Sequence, residues 1–561
     1  MTRFALLLVL ATGAFGCASA KMEEERTDLA INVCRPDFAT SAPDLAMARP
    51  DLAEPLVEDG GEIVGDDMLQ EDGGLLPDDA DVTPADLAMA KPADLAAPKG
   101  DLAQPPGDLA MGGNKDGGNP PPPAGKLRAG QVFVYGVTDD NWVVYYDVAA
   151  KNLQAMSLAG GMARVLTTLD ASVAEVVVRK GLAFIWTKPN QTTGVGPLYV
   201  WSSTVGYKQV AALSMAGEAS VSQDGRLAAF LWNANNAGTL FELRGMTSDL
   251  TVQRTLVLNV GYPQGQTRTC YPDFGFAGVY SLTTACTQGT NTANLIAVDL
   301  IKNSGRTVGS MLNPGWSADK AGTQVLATTL TGNLQVYPLA GGNPTVIDTK
   351  VGYGYLTQDG STALYRSTAN ALRRSAVKPP LPGTLVGSGV GGLVGSSPDD
   401  KWVLFYAGVD PGSGLFDLSL ASATMAGKPA VLSLQKTAAL YGSPFTADAG
   451  FALYFSGVDP NTEIGDLYAQ GVGGGNAVKV GAKAWTVRAS SGAKIAFNDN
   501  SKIVSNVLRA DLKLVDLAGG QPSLVAAQAD PSFFLTATKD RLVYSLSAAP
   551  QTAGIYVAPI P

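Results

Sequence analysis

The chain has 561 residues and not one histidine. That absence excludes a Ser-His-Asp triad, a Cys-His pair and any histidine-ligated metal. It also removes the usual general base near neutral pH. Cysteine is scarce: Cys17, Cys34, Cys270 and Cys286 are all there is. No C-x-x-C spacing occurs, so neither a zinc ribbon nor a thioredoxin-like site is indicated. Glutamate nearly vanishes beyond residue 126, where only Glu175, Glu218, Glu242 and Glu463 remain. No apolar run approaches the roughly 20 residues that cross a bilayer as a helix.

Charge and aromatics divide the chain in two. Residues 21–125 carry a net charge of −16 and a single aromatic, Phe38. Residues 126–561 carry +5 and all seven Trp. A segment so acidic, rich in Pro and poor in aromatics cannot bury enough apolar surface to offset its ordering entropy. Residues 21–125 are therefore expected to be a disordered linker. Asp-Leu-Ala recurs seven times in it, from Asp28 to Asp108. The near-heptad Leu spacing could suggest a coiled coil, but Pro in most repeats removes helical hydrogen bonds. A flexible chain of this length has a root-mean-square reach of about 55–60 Å. The +5 is spread without a basic cluster, so no nucleic-acid partner is expected.

Residues 1–20 read as an export signal. Met1-Thr2-Arg3 is a positive start, and Phe4 to Phe15 is an apolar run too short to span a membrane. Two cleavage readings stand. Ala14-Phe15-Gly16-Cys17 resembles a bacterial lipobox, which would put a lipid on Cys17. Ala18-Ser19-Ala20 is an A-x-A site that would remove Cys17 altogether. The first implies attachment to the outer membrane, on its periplasmic or surface face, and the second a secreted protein.

The large domain, 126–561, is repetitive. A Ser/Thr-x-Asp turn precedes a short apolar strand in copy after copy. Examples are Ser222-Gln223-Asp224-Gly225 before Leu227-Ala228-Ala229-Phe230, and Thr138-Asp139-Asp140 before Trp142-Val143-Val144-Tyr145. Further copies start at Ser317, Thr357, Ser397, Thr446 and Thr538, and weaker ones lie near Lys180, Asp273 and Ser491. These make ten units of about 40–49 residues. Several close with a glycine pair, such as Gly160-Gly161 and Gly341-Gly342. Short strands at this spacing read as all-β, and a period near 43 matches one four-stranded propeller blade. The units resemble the TolB-like class of β-propeller repeats, whose blades carry a Ser-Pro-Asp-Gly turn before an apolar strand. Ser397-Pro398-Asp399-Asp400 comes nearest. The resemblance implies a β-propeller over 127–561 and leaves function open, because propellers host many functions. Closure is expected by pairing Gln131 to Tyr135 with the final strand near Ile555-Tyr556-Val557.

No catalytic residue, metal or cofactor is expected. Asp224, Asp319, Asp359, Asp399 and Asp448 are read as turn residues that bond local amides. Gly408-Val409-Asp410-Pro411 and Gly457-Val458-Asp459-Pro460 each supply one carboxylate, too few for a calcium loop. Cys270 and Cys286 could pair in an oxidising compartment or remain two buried thiols. Trp142, Trp186, Trp232 and Trp402 are expected to pack between blades. Tyr207, Tyr262 and Tyr271 fall in expected loops and are the candidate ligand-facing residues, and the long loops 188–197 and 259–273 are the expected ligand-facing insertions. Two function classes remain. One is an exported binding or scaffolding module whose partner is an envelope protein or glycan. The other is a carboxylate-based polysaccharide hydrolase or lyase with its site in the propeller pore.

Overall fold

Runs such as Leu182-Ala183-Phe184-Ile185-Trp186 are apolar at every position, and every one of these side chains is buried. A strand can do this only if both faces of its sheet are covered. The computed structural model shows how. It describes residues 125–168, 173–190, 193–233, 240–261, 273–286, 292–313, 315–378, 383–409, 416–423, 430–431, 442–459, 462, 464–504 and 507–561. The expected signal and linker, Cys17, Tyr262, Cys270 and Tyr271 lie outside them. Every described regular element is a β-strand, as the patterning implies. Among the described residues no helix is long and apolar enough to cross a membrane.

Among the described residues the strands form nine antiparallel sheets, eight of them meanders in chain order. The first holds Val132–Val137, Trp142–Asp147, Asn152–Ser157 and Arg164–Thr168. A seven-stranded sheet follows over 173–261. It is two units joined by one long strand, Gly206–Val221, which closes the second unit and opens the third. Further sheets span 274–312, 317–348, 351–387, 390–431, 451–484 and 487–529. The unit over 451–484 has three strands. The tenth and last unit joins Phe533–Leu535, Arg541–Leu546 and Gly554–Pro559 to the first strand of the chain, Lys126–Ala129.

Each unit packs on the next, and the series returns to its start. Val144 and Leu153 of the first unit share a core with Val176 and Ile185 of the second. Phe184 and Trp186 pack on Phe230 of the third. Leu243 meets Phe274 and Leu300 of the fourth. Leu295 meets Val325 of the fifth, and Leu334 meets Tyr365 of the sixth. Leu372 meets Phe405 of the seventh. Leu420 shares one core with Tyr454 of the eighth and Phe497 of the ninth. Leu512 meets Tyr544 of the tenth. Val543 and Ile555 of the tenth meet Val134 and Tyr145 of the first. The sheets therefore form a closed cycle.

The closing strand is Lys126–Ala129, in place of the expected Gln131 to Tyr135. Lys126 lies opposite Tyr556, and Ala129 opposite Gly554. Gly130 N–H donates to Ala553 O at 3.0 Å, and Val557 N–H donates to Gly125 O at 3.1 Å. Val132–Val137 instead opens the first sheet, where its buried valines are needed. Arg128 then ties the closing strand to that sheet through Asp147 at 2.8 Å.

Chain direction sorts the two ends of every sheet. Turns from first to second strand and from third to fourth lie at one end, as the Leu158 N–H bond to Asn141 O (2.8 Å) shows. Because Lys126–Ala129 runs antiparallel to Gly554–Pro559, the chain enters the cycle at this same end. Hairpins from second to third strand lie at the other.

A methyl group at Gly554 would stand 2.1 Å from the Arg128 carbonyl oxygen. Gly554→Ala should therefore push the closing strand away and lower stability by about 1–3 kcal/mol. Gly160→Ala, at a turn with open space around it, should disturb only its own turn. Denaturant midpoints of the two variants check this.

Candidate functional site

The repeated turn is one structure used many times. In four copies the first residue, Ser222, Thr357, Ser397 or Thr446, donates its hydroxyl to the Asp two residues on, at 2.6–2.7 Å. The same oxygen accepts the N–H five residues on, from Leu227, Thr362, Trp402 or Phe451, at 2.9–3.0 Å. The Asp then accepts a second N–H, from Arg226, Ser361, Lys401 or Gly450. Asp224, Asp359 and Asp399 thus spend their carboxylates locally. Burial, the largest single influence, would raise their pKa values, but the hydroxyl and amide donors outweigh it and hold them below the ordinary carboxylate value.

Asp319 departs from this pattern. It stands at the Ser/Thr position, and its Oδ1 accepts the N–H groups of Thr323 and Gln324 at 2.8 and 2.9 Å. An Asp here offers the acceptor that a hydroxyl offers elsewhere. In the last unit the turn begins at Thr536, two residues before the expected Thr538, and Arg541 N–H donates to Thr536 Oγ1 at 3.3 Å.

The fourth turn residue adopts a left-handed conformation. It is Gly225 (φ 73°), Gly360 (φ 71°) and Ala449 (φ 59°), but Asp400 (φ 56°) in the seventh unit. An Asp at this position costs more than Gly. Its side chain crosses to the sixth unit. Asp400 Oδ2 accepts Gln358 N–H at 2.6 Å, and Oδ1 accepts the Tyr355 hydroxyl at 3.1 Å and the Ser396 hydroxyl at 3.3 Å. Tyr355 and Ser396 bond each other at 2.7 Å. Burial raises the pKa of Asp400, and burial followed by the Asp400 charge pushes Tyr355 well above the usual phenol value. Of the described carboxylates with a resolved shift, Asp400 alone is raised. Gln358 N–H and the two hydroxyl protons that Tyr355 and Ser396 share among their contacts hold Asp400, so the cluster acts as a lock between two units.

One of the four glutamates reaches the neighbouring unit. Gly217, at φ 79°, leaves room for the Glu175 carboxylate, whose Oε1 would lie 2.5 Å from any Cβ there. Glu218 follows directly. The pair therefore sits on the first strands of the second and third units. Glu242 is engaged by Asn233 at 2.7 Å and Thr255 at 3.2 Å. Glu463 lies outside the described residues. A buried Arg509–Asp530 ion pair, with Ser545 and Ser547 each donating to Asp530 at 2.6 Å, joins the ninth and tenth units. No group of three described His, Cys, Asp or Glu could hold a metal ion.

Tyr207 is not a loop residue. It lies near the start of Gly206–Val221, opposite Trp201, and stacks on Tyr199 with centroids 4.8 Å apart and planes 3° apart. Burial pushes its phenol up to about 12. Its partner Thr167 lies on the outer strand of the first unit, so Tyr207 helps hold two units together. The expected loop 188–197 is shorter, because Val195–Ser202 is already strand. Likewise strand Gln253–Gly261 takes the start of 259–273. Cys286 ends the strand Tyr280–Cys286. Trp186 is fully buried, whereas Trp142, Trp232 and Trp402 are half-buried and pack at the edges of the shared cores. Arg164 covers Trp142 at 4.5 Å, and Arg244 covers Trp232 at 4.2 Å.

No protein-family model matches the sequence, and no curated protein matches it. Solved structures do show partial similarity. A putative TolB from Agrobacterium tumefaciens shares 17% identity, covering 47% of this chain and 97% of that one, with a TM-score of 0.24. An oligogalacturonate lyase from Vibrio parahaemolyticus shares 12%, covering 77% and 99%, with a TM-score of 0.33. Apo AztD from Citrobacter koseri shares 14%, covering 72% and 97%, with a TM-score of 0.35.

Two outcomes follow from the turn chemistry. Ser397→Ala strands the Trp402 N–H and releases Asp399, and should cost about 1–2 kcal/mol in an unfolding titration. Asp400→Asn tests the lock. A carboxyl whose folded pKa is raised stabilises fully below its unfolded pKa and loses that contribution as pH rises through the folded value. The variant should therefore match the parent near pH 4 and gain on it toward pH 7. A stability difference that does not change with pH would contradict this assignment.

Proposed function

We propose that the closed cycle of sheets is a β-propeller and that it works as a non-catalytic binding or scaffolding module. On this reading it is exported and held on the cell envelope by a lipid on Cys17. One observation supports the non-catalytic part above others: the repeated Asp carboxylates of the turns are spent on local hydroxyls and amides, and Asp400 and Asp530 on locks between units. A rigid frame with its polar groups satisfied suits a platform that presents loops. Its partner would be an envelope protein or a glycan. The runs around Arg3 and Cys17 support the address.

A second reading keeps a carboxylate enzyme, with polysaccharide as its substrate. The Glu175 carboxylate beside Gly217, the residue before Glu218, is the observation that favours it. Paired carboxylates are the machinery such hydrolysis uses. Loss of a measured glycan turnover in both Glu175→Gln and Glu218→Gln would establish this reading over the first.

The address has its own test. Intact mass of the mature protein from membranes should show an acylated N-terminal Cys17. Cys17→Ser should move the protein from the membrane to the soluble fraction. An unmodified N-terminus at Lys21 would make it a secreted protein.

A further inference from the structure

The ninth unit carries a hairpin longer than the sheet that supports it. Its arms are Lys494–Val504 and Val507–Asp516. On one side the neighbouring strand, Val487–Ala489, reaches only Phe497, and Asn498 N–H to Thr486 O at 3.1 Å is the last backbone bond. On the other side Ser523–Ala529 reaches only Ala510. Beyond these points the two arms pair with each other alone, Lys502 with Arg509 and Val504 with Val507. Among the described residues no further strand pairs with either outer edge of this ribbon.

Its tip is apolar and exposed. Ile503 is 59% exposed, Val504 44% and Val507 41%. Three β-branched residues in water, on a two-stranded ribbon whose outer edges no described strand pairs, form a ready template for another strand. Elsewhere around the cycle exposed apolar residues are scattered, Met311 beside Leu330 among them, which is ordinary.

Lysines outnumber acids without a cation partner beside this edge, where Asp511 accepts only amide N–H groups. Lys502 is exposed near the tip. Lys483 is exposed beside the base, where Ala482 N–H donates to Asp499 Oδ1 at 2.6 Å. Neither lysine makes an ion pair with a described residue. The nearby acids are engaged: Asp499 by Lys513 at 2.5 Å, Asp466 by Lys479 at 2.6 Å, and Asp511 by Gln528 N–H at 3.1 Å. The ribbon also lies at the end of the sheets opposite the one where the chain enters.

We infer that the edge over 502–504 is a docking site for a partner protein, which adds an extended, acidic segment as a further strand. Backbone N–H and C=O groups on the edge supply the pairing, Ile503 takes the apolar side chains on one face of the added strand, and Lys502, on the opposite face, takes carboxylates together with Lys483. This rests on the binding-module reading and gives it a location and a partner chemistry.

The test uses the full chain and two synthetic peptides of about ten residues, a usual upper strand length. One alternates Val with Glu, the other Val with Lys. Hydrogen exchange at residues 502–504 should slow with the Val/Glu peptide and not with the Val/Lys peptide. Lys483→Glu with Lys502→Glu, both exposed and free of ion pairs, should weaken the Val/Glu peptide by about tenfold or more. Equal protection by both peptides, or none, overturns the inference. So does a concentration-dependent dimer that Ile503→Asp abolishes, which would put a second copy on the ribbon. An envelope ligand bound equally by the double variant would also overturn the docking site, while leaving the binding-module reading intact.

Discussion

Everything in this molecule depends on face-to-face packing between successive sheets. Each unit buries both of its faces, as the unbroken buried run Leu182 to Trp186 shows. Such a sheet has no stable existence alone, because either face left bare would expose a row of Val, Phe and Leu. The first and last units escape that fate only because they cover each other. The four-residue strand Lys126–Ala129 makes the arrangement permanent. Its pairing carries little apolar surface, yet it joins the two ends of the domain through backbone bonds and the Arg128–Asp147 pair.

The turns complete this frame from the side. In four of the units one hydroxyl and one carboxylate satisfy the backbone of the first-to-second strand connection. Neighbouring turns then touch: Asp139 N–H bonds Lys180 O at 2.9 Å, and Lys320 N–H bonds Gln358 O at 2.8 Å. Asp400 replaces such a backbone contact with a side chain, at the cost of burying a carboxylate. That exchange explains why an acid stands where the Ser222, Thr357 and Thr446 turns carry Gly or Ala. Tyr207 does similar work at the opposite, outer edge of the first two units.

Strand content and turn positions were legible in the sequence, because apolar runs and Ser/Thr-x-Asp signals are local. The closing strand was not. Lys-Leu-Arg-Ala is half polar and looks like linker, since a strand added at an outer edge needs few apolar side chains. Tyr207 was misplaced because Gly206 reads as a loop signal, and only the register with Trp201 makes the following residues a strand. The role of Asp319 was hidden because one residue type can serve two turn positions. Asp400 could have been noticed: Ser397-Pro398-Asp399-Asp400 carries an acid where Ser222-Gln223-Asp224-Gly225 carries glycine. The meeting of Glu175 with Gly217 depends on two strands more than forty residues apart, and no local pattern announces it.

The closed cycle is tested most directly by hydrogen exchange at two amides, Gly130 and Val557, which make the bonds that flank the closing strand. If the cycle is shut through Lys126–Ala129, both should exchange as slowly as core amides such as Val143 and Val543, by global unfolding alone. Exchange at the rate of frayed termini, with Val143 and Val543 still protected, would mean that the strand is not seated and the cycle is open.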